Sequence, residues 1–365
     1  MCAYYSKACR LSETIQTEIQ QGRLFNNPYF PSEIQLAARY CASRHTVRRI
    51  LAKLTDDGIL IRMDNGRVKI SPSVEENISI NPGKIKLAWI YAAYPDSTIA
   101  EVTAGIVDFA EKNEVDLQII NSTSGHQEVL QLLPHIKQLG FDGAMILPYE
   151  IPEYAACLNQ LVREHFPVVT FGPTYGSNCS SVSTDDFGST FQVVRDLIQR
   201  YDRPVYFIGA CEGGSATERY HAYCRAMLDA GFEQEIRQYS IFLECACPNP
   251  DYWPIEQKLL HPAELIRKAM EQFPRPCSIF CVNDYVANGV YRSVEKDRIG
   301  IDLMVVGFDD LPLARRLCPP LSTIQVDKHQ IGFQMAMLLH KIISQRIENQ
   351  IHLKLPATFI RRKSS

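Results

Sequence analysis

The first seventy residues carry a helical rhythm of apolar positions that gives way to a short β pattern. Leu11, Ile15 and Ile19 recur every fourth position, which predicts a helix stopped by Gly22. Pro31 and Ser32 open a second helix. Ser32 is placed to cap it, and Gln35 three residues on completes a capping box. Ser43 caps a third helix, whose Val47, Ile50, Leu51 and Leu54 fall at i, i+3, i+4 and i+7 and form one apolar stripe. Two β-rich runs, Ile59–Arg62 and Val68–Ile70, then flank Asp64-Asn65-Gly66-Arg67. An Asn-Gly pair in that setting predicts a hairpin.

Residues 73–83 contain Pro82 and Gly83 and few apolar side chains, which predicts a linker. From residue 84 onward short apolar runs alternate with amphipathic stretches. Strands are expected at Ile85–Tyr91, Leu117–Asn121, Gly143–Pro148, Pro167–Phe171, Val205–Gly209, Ser278–Val282 and Met304–Phe308. Helices are expected between them, among them Ala100–Asn113, Gln127–Leu139, Gly188–Tyr201, Thr217–Ala230, Val286–Glu295 and Lys328–Gln345. Near-continuous apolar strands joined by crossover helices imply α/β architecture with parallel sheets covered on both faces. The stretch 84–365 is longer than one ordinary sheet needs, so two Rossmann-like lobes are expected. We assign lobe 1 to about 84–172 and 326–348, and lobe 2 to about 174–324 and 349–365.

Charge sharpens this division. Residues 1–72 hold 11 Lys and Arg against 6 Asp and Glu, a net +5; since the whole chain carries −3, the rest carries −8. A small basic head on an acidic body suits a head that binds phosphates. No apolar run approaches a bilayer-spanning length, and Met1–Arg10 lacks the core of a secretory signal, so a cytoplasmic location is expected. The 12 cysteines are then expected to be reduced thiols. Neither Cys245 with Cys247 nor Cys277 with Cys281 has the companion pair of a structural zinc site, and no metal or cofactor is expected. The glycine-rich run 209–214 lacks the Lys-Ser/Thr of a P-loop.

The ordered run Phe30-Pro31-Ser32-Glu33, Leu36-Ala37, Ser43-Arg44-His45-Thr46-Val47-Arg48, Leu54 and Gly58 resembles the GntR family of winged helix-turn-helix regulators over about residues 11–72. With Val47, Ile50, Leu51 and Leu54 turned to the core, Arg44, His45, Arg48 and Arg49 lie on or beside the other face. Arginine there suits base edges and phosphates, which accept hydrogen bonds. The resemblance implies that double-stranded DNA is contacted by Ser32, Ser43, Arg44, His45, Thr46, Arg48 and Arg49, with Arg67 reaching from the tip of the wing. Ile34 stands where the family commonly has arginine.

The second unit resembles the ligand-binding domain of the LacI/GalR regulators, which is similar to periplasmic sugar-binding proteins of type I. The match rests on Met304-Val305-Val306-Gly307-Phe308-Asp309-Asp310, on Pro319 to Ile324, on Ser181 to Asp186, on Glu218-Arg219 and on Val282-Asn283-Asp284. It implies a small effector bound between the lobes by Arg219, Asn283 and Asp309, with Thr98 lining the pocket and Trp253 stacking on the ligand. Asp284 and Asp310 are expected to cap helices, and an internal Asp309–Arg219 ion pair is an alternative use of those two side chains. The family's aromatic near the start of the first-lobe helix is absent from Asp96-Ser97-Thr98-Ile99, and Val326 replaces a commonly polar residue.

This fusion of head and body resembles the arabinose-repressor type of regulator. It implies a DNA-binding repressor, without catalytic activity, whose operator affinity is controlled by a small carbohydrate. A homodimer is expected, because paired heads read a two-fold site. Lobe closure is expected to hinge at Phe171–Thr174, Thr184–Asp185 and Ile324–Asp327. The competing readings are a nucleobase- or nucleoside-responsive regulator, and a carbohydrate sensor with a degenerate head.

Overall fold

The computed structural model describes residues 7–20, 24, 29–40, 42–63, 65–72, 74, 84–92, 97–122, 125–149, 151–172, 174, 176–209, 214–243, 266–268, 273 and 275–365. Trp253, Cys245, Cys247, most of the linker and residues 210–213 lie outside them. The chain forms two compact units, Met1–Ile85 and Lys86–Ser365. Among the described residues no helix is long and apolar enough to cross a membrane.

The first unit contains α1 (Lys7–Gln20), α2 (Glu33–Arg39), α3 (Arg44–Asp56) and the antiparallel pair β1 (Leu60–Arg62) and β2 (Val68–Ile70). Its core is the stripe expected from the sequence. Ile15 and Ile19 of α1 pack with Leu36 of α2 and with Val47, Ile50, Leu51 and Leu54 of α3; Leu60 and Ile70 close it from the hairpin. The cap on α2 is reciprocal. Gln35 N–H donates to Ser32 Oγ at 3.3 Å, and Ser32 N–H donates to Gln35 Oε1 at 2.9 Å. Ser43 likewise accepts from Thr46 N–H at 3.1 Å.

The second unit holds two six-stranded sheets. One runs β13-β7-β6-β5-β3-β4 and is wholly parallel. It is built from β3 (Lys86–Ala92), β4 (Asp116–Ser122), β5 (Gly143–Ile146), β6 (Val168–Phe171), β7 (Ser180–Thr184) and β13 (His352–Leu355). The other runs β14-β12-β11-β10-β8-β9. It is built from β8 (Val205–Gly209), β9 (Ser240–Phe242), β10 (Cys277–Cys281), β11 (Leu303–Asp309), β12 (Ser322–Gln325) and an antiparallel edge, β14 (Thr358–Ile360). Helices α4 (Ser97–Lys112), α5 (His126–Leu132) and α6 (Pro152–Arg163) accompany the first sheet. Helices α7 (Asp186–Tyr201), α8 (Gly214–Asp229), α9 (Glu235–Tyr239), α10 (Asp284–Ser293) and α11 (Pro312–Arg316) accompany the second. The long α12 (Lys328–Gln345) returns to the first lobe, where it packs on α4 and on β5, β6 and β7.

This topology corrects the expected lobe boundaries. Ser180–Thr184 and His352–Leu355 belong to the first lobe, because Val169 pairs with Ser180 and Val182 pairs with Leu353 in its sheet. The chain passes between lobes at Thr184–Asp186, Gln325–Lys328 and Leu355–Thr358. Phe171–Thr174 is therefore not a crossing, since β6 and β7 are neighbours in one sheet. The helix expected over Gln127–Leu139 is also modified. It is α-helical only to Leu132, and 133–139 tighten into 3-10 turns, because Pro134 has no N–H to donate to the preceding turn.

Two close approaches fix the first lobe and the end of β11. Helices α4 and α12 cross at Gly105 and Gly332. A Cβ on Gly105 would strike the His329 carbonyl, and one on Gly332 would strike the Val102 carbonyl. At the end of β11 two successive residues take positive φ, Asp309 at 100° and Asp310 at 47°. Such backbone costs roughly 1–3 kcal/mol per residue and persists only where its surroundings over-determine it. Asp284, fully buried, accepts from Leu311 N–H at 2.7 Å and from Thr323 Oγ1 at 2.6 Å. Gly307 leaves room for that carboxylate, because any Cβ there would meet it. Asp310 accepts from Arg362 at 2.6 Å, Arg315 at 3.0 Å and Gln325 at 3.2 Å. Neither aspartate caps a helix, contrary to expectation; Asn283 occupies the cap position of α10 instead.

Two outcomes follow from these contacts. Gly332→Ala is expected to destabilise the second unit by about 1–3 kcal/mol, since the colliding atom is backbone and cannot rotate away; thermal unfolding of the variant measures it. Burial pushes the Asp284 carboxyl up to about 7, helped by Asp309 and Asp310 and opposed by the Thr323 and Leu311 hydrogen bonds. A carboxyl raised in the folded state contributes stability below its unfolded value of about 4 and loses it as pH rises through about 7. The melting temperature of Asp284→Asn relative to wild type should therefore rise as pH increases across that window, as a pH series of paired melts will show.

Candidate functional site

The exposed end of the head is built from α2, α3 and the hairpin. Arg44, His45 and Arg49 are exposed on the start and outer side of α3. Arg48 is exposed too, yet it is held: its Nε and Nη2 make a forked pair with the Glu33 carboxylate of α2, at 3.0 and 2.8 Å. Arg48, with Arg62 and Arg44 nearby, keeps the Glu33 carboxyl below its ordinary range. The hydroxyls of Ser32, Ser43 and Thr46 are engaged in the caps, with Ser43 Oγ and Thr46 Oγ1 2.8 Å apart. On the hairpin, Arg67 lies over the Tyr29 ring at 4.6 Å, and Asn65 donates to the Tyr29 hydroxyl at 3.2 Å. Tyr29 thus anchors the wing. It and Arg62 were not singled out from the sequence, because neither belongs to a periodic pattern.

The second site lies at the carboxyl ends of the strands, where open α/β sheets bind ligands. Its centre is Arg219 of α8. Nε donates to Asp186 Oδ1 at 2.7 Å, Nη1 donates to the Val282 carbonyl at 2.7 Å, and Nη2 stands 3.5 Å from Asp309 Oδ1. The guanidinium carbon rests 3.5 Å from the centroid of the Phe308 ring. Burial works against the charge on Arg219, but Asp186 and Asp309 outweigh it and hold the group protonated. Asp309 is the exposed member of the cluster, with a quarter of its side chain open to solvent.

Arg219 and Asp309 are therefore brought together, as an ion pair that leaves the carboxylate accessible. Asn283 follows Val282 in the chain, but its Oδ1 accepts from Val286 N–H at 2.9 Å, so its side chain is oriented by the cap of α10. Thr98 lies half-buried on the first turn of α4, in the other lobe. One turn further along that helix, Glu101 joins Asp309, Asp310, Arg316, Gln325 and Lys328 around a cavity of about 390 Å³. Asp186, Phe308 and Lys328 are members of the site that the sequence did not single out. Asp186 precedes no strand end and reads as a helix start, and Lys328 reads as the opening of a helix. A larger recess of about 510 Å³ lies at the opposite, amino-terminal edge of the first sheet, between residues 162–168, 178–180 and 342–350. Cys277 and Cys281 are buried at the two ends of β10, and among the described residues no group of His, Cys, Asp and Glu is arranged to hold a metal.

Comparison with known proteins finds matches to both units of the chain. Residues 7–70 match the bacterial regulatory proteins of the gntR family, and residues 195–365 match the periplasmic binding protein-like domain. The chain is 24% identical over 326 residues to the HTH-type transcriptional repressor PurR of Histophilus somni, covering 87% of this chain and 91% of that one. It is 23% identical over 357 residues to the arabinose metabolism transcriptional repressor of Geobacillus stearothermophilus, covering 94% and 93%. The structure of a transcriptional regulator CelR–cellobiose complex superposes with a TM-score of 0.64 at 20% identity, over 92% of this chain and all of that one. The chain joins a helix-turn-helix head of the gntR family to a two-lobed periplasmic-binding-protein-like body, and is a DNA-binding transcriptional regulator of that composition.

Proposed function

We propose that this regulator is a repressor whose operator affinity is set by a small carbohydrate held in the cleft, and that it acts as a homodimer. The observation that carries the reading is the Arg219–Asp309 pair. A sugar hydroxyl donates and accepts at once, and it is costly to bury with either role unfilled. Asp309 supplies an accessible acceptor beside a donor fork that is already fixed. The names of the Geobacillus relative and of the cellobiose complex point to sugars as well. Closure about the three crossings would change how the heads of a dimer are presented, and a ligand shifts that equilibrium only by binding the two arrangements unequally.

The test uses the full-length chain. A duplex is selected from a random-sequence pool, and its affinity is measured with and without L-arabinose, D-ribose, D-galactose and cellobiose. One of these sugars is expected to change the affinity about tenfold or more, within the usual range of allosteric coupling. Asp309→Ala should bind the duplex as wild type does and ignore the sugar. If none of the four changes duplex affinity, the carbohydrate reading fails.

On the head, Arg44→Ala or Arg48→Ala should weaken the selected duplex by about 1–3 kcal/mol if a base edge is lost, or flatten the salt dependence if a phosphate contact is lost. Sugar binding should be unchanged in both. Loss of sugar affinity in either variant contradicts the separation of the two sites.

A further inference from the structure

Lys328 is the first residue of α12 and sits where the chain crosses from the second lobe to the first. It is only 3% exposed. An ammonium group has three N–H donors and no acceptor. One of them donates to the Asp309 carbonyl at 3.0 Å. Among the described residues no carboxylate forms an ion pair with it, and the Asp309 carbonyl is the one acceptor that it bonds. A buried cation left in that condition is costly unless something else answers it. Lys328 also lines the cavity of about 390 Å³ that it shares with Asp309, Gln325 and Glu101. Lys328 therefore borders a space from which an oxygen acceptor can reach it.

We propose that Lys328 is a direct effector-binding residue, donating to adjacent oxygens of a vicinal diol while the Asp309 carboxylate accepts from the same pair of hydroxyls. This rests on the carbohydrate reading above and adds which side chain recognises the sugar. A carboxylate and an ammonium on one side of a cavity suit a diol, since each hydroxyl can give its hydrogen to one and its lone pair to the other. The arrangement also joins the lobes. Asp309 ends β11 of the second lobe, whereas Lys328 opens a helix packed on the first. A diol held by both is bound by both lobes at once, so the site is complete only in one lobe arrangement.

The test compares wild type with Lys328→Met, which keeps the length and removes the donors. Calorimetry is run with L-arabinose, D-ribose, D-galactose and cellobiose, and with the single-deoxy analogues of whichever sugar wild type binds. Lys328→Met should lose about 10- to 100-fold in affinity for that sugar, the loss of hydrogen bonds from a charged donor, with duplex binding unchanged. In wild type each deoxy analogue should bind more weakly than the parent. In the variant, the analogues lacking either hydroxyl of the recognised diol should lose less further affinity than they do in wild type, because one of the two partners of each hydroxyl is already gone and only Asp309 remains. A merely structural lysine would leave the losses additive for every hydroxyl, and that result overturns the proposal. If wild type binds a sugar and the variant binds it equally well, this inference fails and the carbohydrate reading stands. If wild type binds none of the four, both fail. Should Lys328→Met unfold, Lys328→Leu, which also lacks donors, replaces it with the same outcomes.

Discussion

The guanidinium of Arg219, almost wholly removed from water, has to be answered on every side, and the groups that answer it come from most of the second lobe. Asp186 arrives from the start of α7, the Val282 carbonyl from the end of β10, and Phe308 and Asp309 from the end of β11. Breaking such a cluster by removing one partner leaves a buried charge uncompensated, which is far more damaging than losing a surface pair. The cluster therefore sets the relative positions of two helices and two strand ends, and with them the floor of the cleft.

Around that floor, strain and restraint are balanced. Asp309 faces Arg219 only because β11 ends in two residues of positive φ, and that bend is tied down from three directions: by Asp284 below, by Arg362, Arg315 and Gln325 at Asp310, and by Lys328 at the Asp309 carbonyl. The last of these ties comes from the first lobe. The residue offered to the ligand is thus held by the same network that joins the lobes, which gives occupation of the cleft a physical route to lobe arrangement. The head shows a smaller version of this economy. Arg48 is oriented by the Glu33 carboxylate of the preceding helix, so the contact proposed for it would use a side chain already held in place and would compete with that carboxylate.

Much of this was readable from the chain. The head was legible because its core is local: the stripe Val47, Ile50, Leu51, Leu54 and the caps at Ser32 and Ser43 are decided within a few residues. The apolar strands β3, β5, β8, β10 and β11 were legible for the same reason. Strand β7 was not, although all five residues are buried, because Ser-Ser-Val-Ser-Thr has no apolar run to detect. Strands β13 and β14 are short, and their partners lie more than 30 residues away, so local pattern says nothing of the lobe each joins. Arg219 and Asp309 were singled out through their motif, and the structure pairs them. Asp186, Phe308 and Lys328 were hidden because their roles arise only when three separate strand ends meet. Asn283 and Asp284 were effectively interchanged: the amide caps the helix, and the acid is buried to hold the β11 bend.

The claim on which the account depends is that the ligand binds at the carboxyl strand ends around Arg219 and Asp309, and not in the larger recess at the other edge of the first sheet. Amide hydrogen exchange of the full-length protein, with and without the sugar it binds, tests this directly. The account predicts added protection in residues 282–287, 305–311 and 324–331, which carry the partners of Arg219 and part of the cavity lining. Protection confined to residues 162–168, 178–180 and 342–350, with the cleft segments unchanged, would contradict it.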